Sequence, residues 1–156
     1  MSKTTPATLA LDRAGVAYRR ATYDYDPNAE RVGLQAAEAL GAPPSEVLKT
    51  LMVKVDGKPA CVVLASDREV AMKKLAAALG GKSAEMMKPA DAERITGYRV
   101  GGVSPFGQKR ASRTVVDAAA ATLAEAYVNG GQRGLQIRLA PGDLIRVTEA
   151  VVATVT

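Results

Sequence analysis

Histidine and tryptophan are absent from this chain of 156 residues, and it has a single cysteine and a single phenylalanine. The missing histidine excludes the most chemistry. Without imidazole there is no Ser-His-Asp triad and no Cys-His pair, and with one thiol there is no histidine- or cysteine-based zinc site. What remains is lysine, hydroxyls, carboxylates, amides and the backbone. These groups orient a substrate and support developing charge, but none titrates near neutrality when unperturbed. Such a site suits a substrate that is already activated and calls for no metal or organic cofactor. The scarcity of aromatics, five Tyr beside the one Phe, removes the stacking platform of a general single-strand binder. Cys61 lies within Ala60-Cys61-Val62-Val63-Leu64, a setting for a buried structural thiol rather than a nucleophile, and a lone cysteine suits a reducing compartment. No apolar run is long enough to cross a bilayer, and Met1-Ser2-Lys3-Thr4-Thr5-Pro6 lacks a signal-peptide pattern, so the expectation is a cytoplasmic protein away from membranes.

Hydrophobic residues at 47% and charged residues at 24% are globular proportions, and the length predicts one domain over residues 1–156. The net charge of +5 is unevenly spread. Residues 49–110 carry twelve Lys/Arg against six Asp/Glu, whereas the flanking segments are close to balanced. A basic middle fits a polyanionic partner, although a basic isoelectric point occurs equally in domains with no nucleic-acid role.

Local signals predict short elements. Thr5 caps and Pro6 opens a helix that Gly15 stops; residues 16–23 read as a strand, with Tyr23 at its mouth. Residues 33–41 form a second short helix. Residues 47–55 and 60–65 are strands joined by the hairpin signal Asp56-Gly57-Lys58. Residues 70–81 give an amphipathic helix, 83–87 a short strand, and 88–97 a helix closed by glycine. Residues 113–117, 125–128, the stretch after the 129–134 loop, and 151–155 read as strands, with one helical turn at 118–121 and a helix starting near Pro141. The reading is a mixed α/β (α+β) fold: a mixed, curled sheet with short helices outside it. No strand leads into GxGxxG and a long helix, which disfavours a Rossmann arrangement.

Two places stand out as candidate sites. Gly101-Gly102-Val103-Ser104-Pro105-Phe106-Gly107 has glycines that permit positive φ and a close backbone approach, and Lys109, Arg110 and Arg113 follow it. Unpaired amides beside cations would suit phosphate or an oxyanion; an ordinary surface turn is the alternative. Lys49 shares a strand face with Val47, Leu51, Val53 and Val55, so it is a cation in an apolar row that needs a partner or ligand unless it snorkels from the strand's end.

Thr5-Pro6-Ala7, Tyr23-Asp24, Leu48-Lys49-Thr50-Leu51, Gly97-Tyr98 leading to Gly101-Gly102-Val103-Ser104-Pro105, and Gly130-Gly131-Gln132-Arg133-Gly134-Leu135 occur together in this order. In this the chain resembles the YbaK/ProX family, free-standing relatives of the editing domain inserted in bacterial prolyl-tRNA synthetases. The resemblance implies a sheet curled toward a barrel with flanking helices. It also implies hydrolysis of the ester of mischarged tRNA, typically a tRNA for proline carrying the wrong amino acid such as cysteine. The implied partners are the acceptor end of aminoacylated tRNA and a prolyl-tRNA synthetase; the alternative is a non-catalytic tRNA-binding or synthetase-accessory module. Carried over, it puts catalysis at Lys49 and Gly101 and substrate binding at Tyr23, Thr50, Gly102, Ser104, Asn129 and Arg133. Lys49 would anchor the phosphate or ribose of the terminal adenosine, with Gly101 and Gly102 backbone holding the ester carbonyl or water. Cysteine-editing relatives have histidine where Tyr25 stands, an aromatic at Val32, serine at Asn129 and an acidic residue at Gln136, so the pocket here differs.

Overall fold

The computed structural model describes residues 4–28 and 32–156. Its centre is the hairpin of β2 (Leu48–Val55) and β3 (Lys58–Ala65), paired from Leu48↔Ala65 to Val55↔Lys58. Asp56 and Gly57, with φ of 50° and 80°, make the two-residue turn whose twist matches the strands. β3 also pairs in parallel with β5 (Arg113–Asp117), and β5 with β8 (Val151–Ala153). A strand with partners on both edges and cover on both faces must be apolar throughout, which accounts for the unbroken buried run from Ala60 to Leu64. β4 (Ala84–Met86) joins the other edge of β2, at Val53–Val55 only, giving the order β4-β2-β3-β5-β8.

The second sheet is antiparallel, with β7 (Leu135–Leu139) between β1 (Arg19–Thr22) and β6 (Ala126–Asn129). It meets the first at an isolated bridge, Val47↔Tyr127. The mixed α/β class is as expected, but in place of one curled sheet the described strands form two sheets with no closed barrel. The reason lies along β2, where the bridge to β6 stops at Val47 and the pairing with β4 begins at Val53. Between them that edge of β2 is open.

One face of the large sheet packs Val53, Val62, Leu64 and Val115 against Leu75 and Ala76 of α3 (Met72–Ala78). The opposite face packs Met52, Cys61, Val63 and Val116 with Val128 and Ile137 of the second sheet. Leu11 of α1 (Pro6–Arg13), Ile95 of α4 (Pro89–Thr96), Ala120 of α5 (Ala118–Ala121) and Leu144 of α6 (Pro141–Thr148) join them. Each large apolar side chain so buried contributes about 1.5–3 kcal/mol. Cys61 is fully buried, and that burial pushes its thiol up to about 12, as befits a structural residue.

The α1 start is the capping box expected at Thr5, whose hydroxyl accepts from Thr8 N–H while Thr8 Oγ1 accepts from Thr5 N–H. Several segments are shorter than their patterns, β4 and β8 among them, and for two the hydrogen bonds show why. The strand expected from residue 16 begins at Arg19, because Val16 N–H is used by Leu11 C=O in closing α1. The helix expected from residue 70 begins at Met72, because Ala71 is extended and its N–H donates to Val155 C=O. Of the expected helix at 33–41, α2 (Val32–Leu40) is present.

Candidate active site

The open edge of β2 is the floor of a pocket of about 300 Å³. Met86, Met87, Pro89 and Ala92 wall one side, Asn129 and Gln136 the other, and Tyr23, Tyr25, Val100, Gly101 and Val103 the mouth. Met87 N–H takes the Met52 carbonyl at 3.1 Å, so even-numbered β2 residues direct their backbone groups away from β3. By that alternation the Thr50 amide and carbonyl stand at the open edge.

Lys49 and Thr50 both line this pocket, though they point to opposite faces of β2. Lys49 interrupts the apolar row of Val47, Leu51, Val53 and Val55, half-buried, and no carboxylate lies within ion-pair distance among the described residues. Burial lowers its pKa from the ordinary lysine value, while Glu69 and Asp67, farther off, oppose that shift. The cation is thus held partly dry and without a direct partner, poised for an anionic or oxygen-rich ligand. Two polar atoms are likewise left without partners. Thr50 Oγ1 and Gln136 Oε1 are buried with no hydrogen-bond partner among the described residues, a condition that costs about 1–3 kcal/mol per group unless a ligand or solvent meets it.

The two glycine loops pack on each other. Gly101 has φ of +91°, and a β-carbon there would lie 2.6 Å from Tyr25 Oη and 3.2 Å from Arg133 Nε. Asn129 ties the loops together: Nδ2 donates to Gly101 C=O at 3.2 Å, and Oδ1 accepts from Gly131 N–H at 2.7 Å. It lies within β6 and is not among the residues with positive φ, so its role comes from its side chain and not from a left-handed backbone. Asn129 and Gln136 are register partners, which sets both amides on one wall. Tyr23 follows β1 directly, its N–H held by Gly134 C=O; burial first, and Tyr25 second, push its phenol up, with Gln136 beside it opposing.

The structure thus brings Tyr23, Lys49, Thr50, Gly101 and Asn129 to one pocket. It does not bring the other three expected residues there. Ser104 is fully buried and accepts from Phe106 N–H, shaping the loop's bend. Gly102 is buried against the Gln132 and Arg133 backbone, and its N–H donates to Arg99 C=O at 2.8 Å, so the expected pair of free amides reduces to Gly101, whose N–H has no acceptor among the described residues. Arg133 acts from outside, its Nε on Val100 C=O at 2.8 Å and its guanidinium 5.1 Å above the Tyr25 ring. Met86 and Met87 were not marked by any motif. Gln136, marked in the sequence only as a departure from relatives, is set opposite Asn129 by the hairpin across the 130–134 turn.

A lone lysine, unpartnered oxygens and a free loop amide around a dry-walled pocket can hold a polar ester. The sequence profile described as the aminoacyl-tRNA editing domain matches residues 26–147. The chain belongs to the aminoacyl-tRNA editing domain family. The family is one of tRNA-editing deacylases, hydrolases of the aminoacyl ester. A protein of Enterococcus faecalis with the provisional name Cys-tRNA(Pro)/Cys-tRNA(Cys) deacylase EbsC is 34% identical over 155 residues, 97% of this chain and 93% of its own. A proline–tRNA ligase of Nitratidesulfovibrio vulgaris is 36% identical over 78 residues, 50% of this chain and 14% of the ligase. Among solved structures, that of hypothetical protein APE2540 superposes with a TM-score of 0.85 at 26% identity, covering 97% of this chain and 99% of the other. The resemblance to prolyl-tRNA editing proteins is thereby shown. No helix among the described residues is long and apolar enough to cross a membrane.

Proposed function

We propose that this editing domain hydrolyses the ester of a tRNA for proline mischarged with a small amino acid, cysteine foremost, in the cytoplasm and alongside prolyl-tRNA synthetase. The observation that carries the reading is the convergence of Lys49, the unpartnered Thr50 Oγ1 and Gln136 Oε1, and the Gly101 amide on one pocket at an open strand edge. An aminoacyl ester is already activated, so the site has to orient it and a water and to stabilise negative charge on the carbonyl oxygen. Lys49 holds the phosphate or ribose of the terminal adenosine, and Gly101 N–H donates to the carbonyl oxygen. Water adds to the carbonyl carbon, the bond to the ribose oxygen breaks, and the proton from water passes to that oxygen, releasing amino acid and tRNA. Tyr23, Thr50 and Asn129 bound the space for the amino acid, and Arg133 braces the Gly101 loop from behind through Val100 and Tyr25.

The test is turnover on tRNA for proline charged with cysteine, alanine or serine. Release of amino acid is expected for at least one ester; intact esters throughout would mark a binding module instead. Activity is expected to survive prolonged chelation, because the chain has no imidazole and one buried thiol, and no cluster of three or more metal-ligating side chains occurs among the described residues. Loss of activity in chelator with recovery on zinc would contradict this.

Asn129→Ser is expected to shift preference among the three esters. Serine keeps a hydroxyl near Gly131 N–H but is too short to reach Gly101 C=O, which frees that wall and enlarges the pocket. Ratios of kcat/KM among the esters should move by about tenfold to a hundredfold, the size of one altered pocket contact. Unchanged ratios would remove Asn129 from specificity.

A further inference from the structure

The pocket accounts for Lys49 and the loop that carries Gly101, but not for the cations beside them. From Arg94 to Val116 the chain has no Asp or Glu and carries Arg94, Arg99, Lys109, Arg110 and Arg113. Four of these are gathered by the fold. Arg110 N–H and Lys109 N–H donate to the Ile95 and Thr96 carbonyls at the end of α4, and Lys109 packs beside Gly97. Arg99 adjoins Val100, whose carbonyl is held by Arg133 at the pocket mouth. The result is a continuous exposed strip from Arg133 and Arg99 at the mouth, past Lys109, to Arg110 and Arg94.

The acids nearest this strip are engaged. Glu93 accepts from Val100 N–H at 2.9 Å, and Asp91 is shared by Arg94 and Lys54. Arg99, Lys109 and Arg110 have no carboxylate within ion-pair distance among the described residues. Some of this charge offsets the negative end of α4, but one helix terminus gives only about 0.3–1 kcal/mol per cation and does not explain a strip that runs on to the pocket. Lys73 and Lys74 give the contrast: they sit on α3, across the sheet from α4, with Lys74 Nζ on Thr156 C=O.

We infer that the Arg99, Lys109 and Arg110 strip is the track for the phosphate backbone of the tRNA acceptor arm. The inference rests on the proposed deacylase reading and adds a direction to it. The single-stranded end enters at Arg99 beside the mouth, and the duplex lies farther along, over Lys109 and Arg110 and the end of α4. Phosphate contacts of this kind position a nucleic acid without reading its sequence, in keeping with the shortage of aromatics.

The test is the triple variant Arg99→Gln, Lys109→Gln, Arg110→Gln against Lys73→Gln, Lys74→Gln as control, in two arms. In the binding arm, uncharged tRNA is titrated at several salt concentrations. The triple variant should weaken binding tenfold or more and flatten the logarithmic salt dependence by about 2–3, while the control leaves both near the parent values. In the turnover arm, KM for the full mischarged tRNA should rise with kcat kept, and kcat/KM for the same amino acid esterified to adenosine alone should be unchanged. Unaltered tRNA affinity and salt slope would overturn the inference, as would an equal loss on the adenosine ester, which signals damage to the pocket. So would a defect seen only when prolyl-tRNA synthetase is added, which marks a protein-docking face. The binding arm needs no turnover, so an inactive parent would sink the deacylase reading and leave the strip to be judged on its own.

Discussion

Lys49→Ala is expected to lower kcat/KM for deacylation by on the order of a hundredfold, the cost of losing a charged anchor that positions the ester for attack. The fold should hardly notice. Lys49 is half-buried with no ion pair among the described residues and belongs to none of the buried apolar clusters, so truncation opens no core cavity and should cost less than about 1 kcal/mol. The pH dependence gives a second readout. Burial lowers the Lys49 pKa, so the parent's rate, corrected for spontaneous ester hydrolysis, should lose the lysine's contribution as pH rises through a value below that of an exposed lysine. The variant should lack that decline. Unchanged turnover in a variant with a parental thermal melt would remove Lys49 from the site.

Gly101→Ala is expected to follow closely, with a loss of roughly a hundredfold, the effect of displacing reacting groups by about an ångström. The new β-carbon has no room: Tyr25 Oη would stand 2.6 Å away, and the φ of +91° disfavours any side chain. Relief requires Tyr25 and Arg133 to shift, which moves the mouth of the pocket and the Val100 carbonyl that Arg133 holds. The accompanying stability loss should be about 1–2 kcal/mol, typical of one residue in a strained backbone region. Kinetics and a denaturation curve on the same sample separate the two quantities. If Asn129 couples the loops as its two bonds indicate, a cycle pairing Gly101→Ala with Asn129→Ser should be non-additive.

What could be read from the chain alone was mostly local. Asp56-Gly57 specifies its own turn, Lys88-Pro89 and Gly97 mark the two ends of α4, and Thr5 caps α1 with its neighbour Thr8. Lys49 was legible because period-two alternation exposes a cation in an apolar row before any partner strand is known. Closure was not legible. Whether eight short strands form a barrel depends on which edges find partners, and neither the stop of β4 at Val53 nor the bridge at Val47 leaves a trace in the sequence near them. The glycine loop shows the same divide. Its composition announced a built turn, but Gly101, Gly102 and Ser104 were indistinguishable until the acceptor on Arg99 and the donor on Phe106 took two of them out of the pocket. Tyr25 and Gln136 were visible as departures from relatives, and only the register of β6 and β7 gave Gln136 its position beside Asn129.

The burial of Cys61 has a practical side. It is the chain's only thiol, shut inside the sheet with its ionisation pushed to about 12, so the native protein presents no sulfur nucleophile to a thiol-reactive dye at neutral pH. Dye added to a cysteinyl-ester reaction once the tRNA-bound fraction has been removed therefore labels the released cysteine against a dark background, and the label counts product without a correction for enzyme.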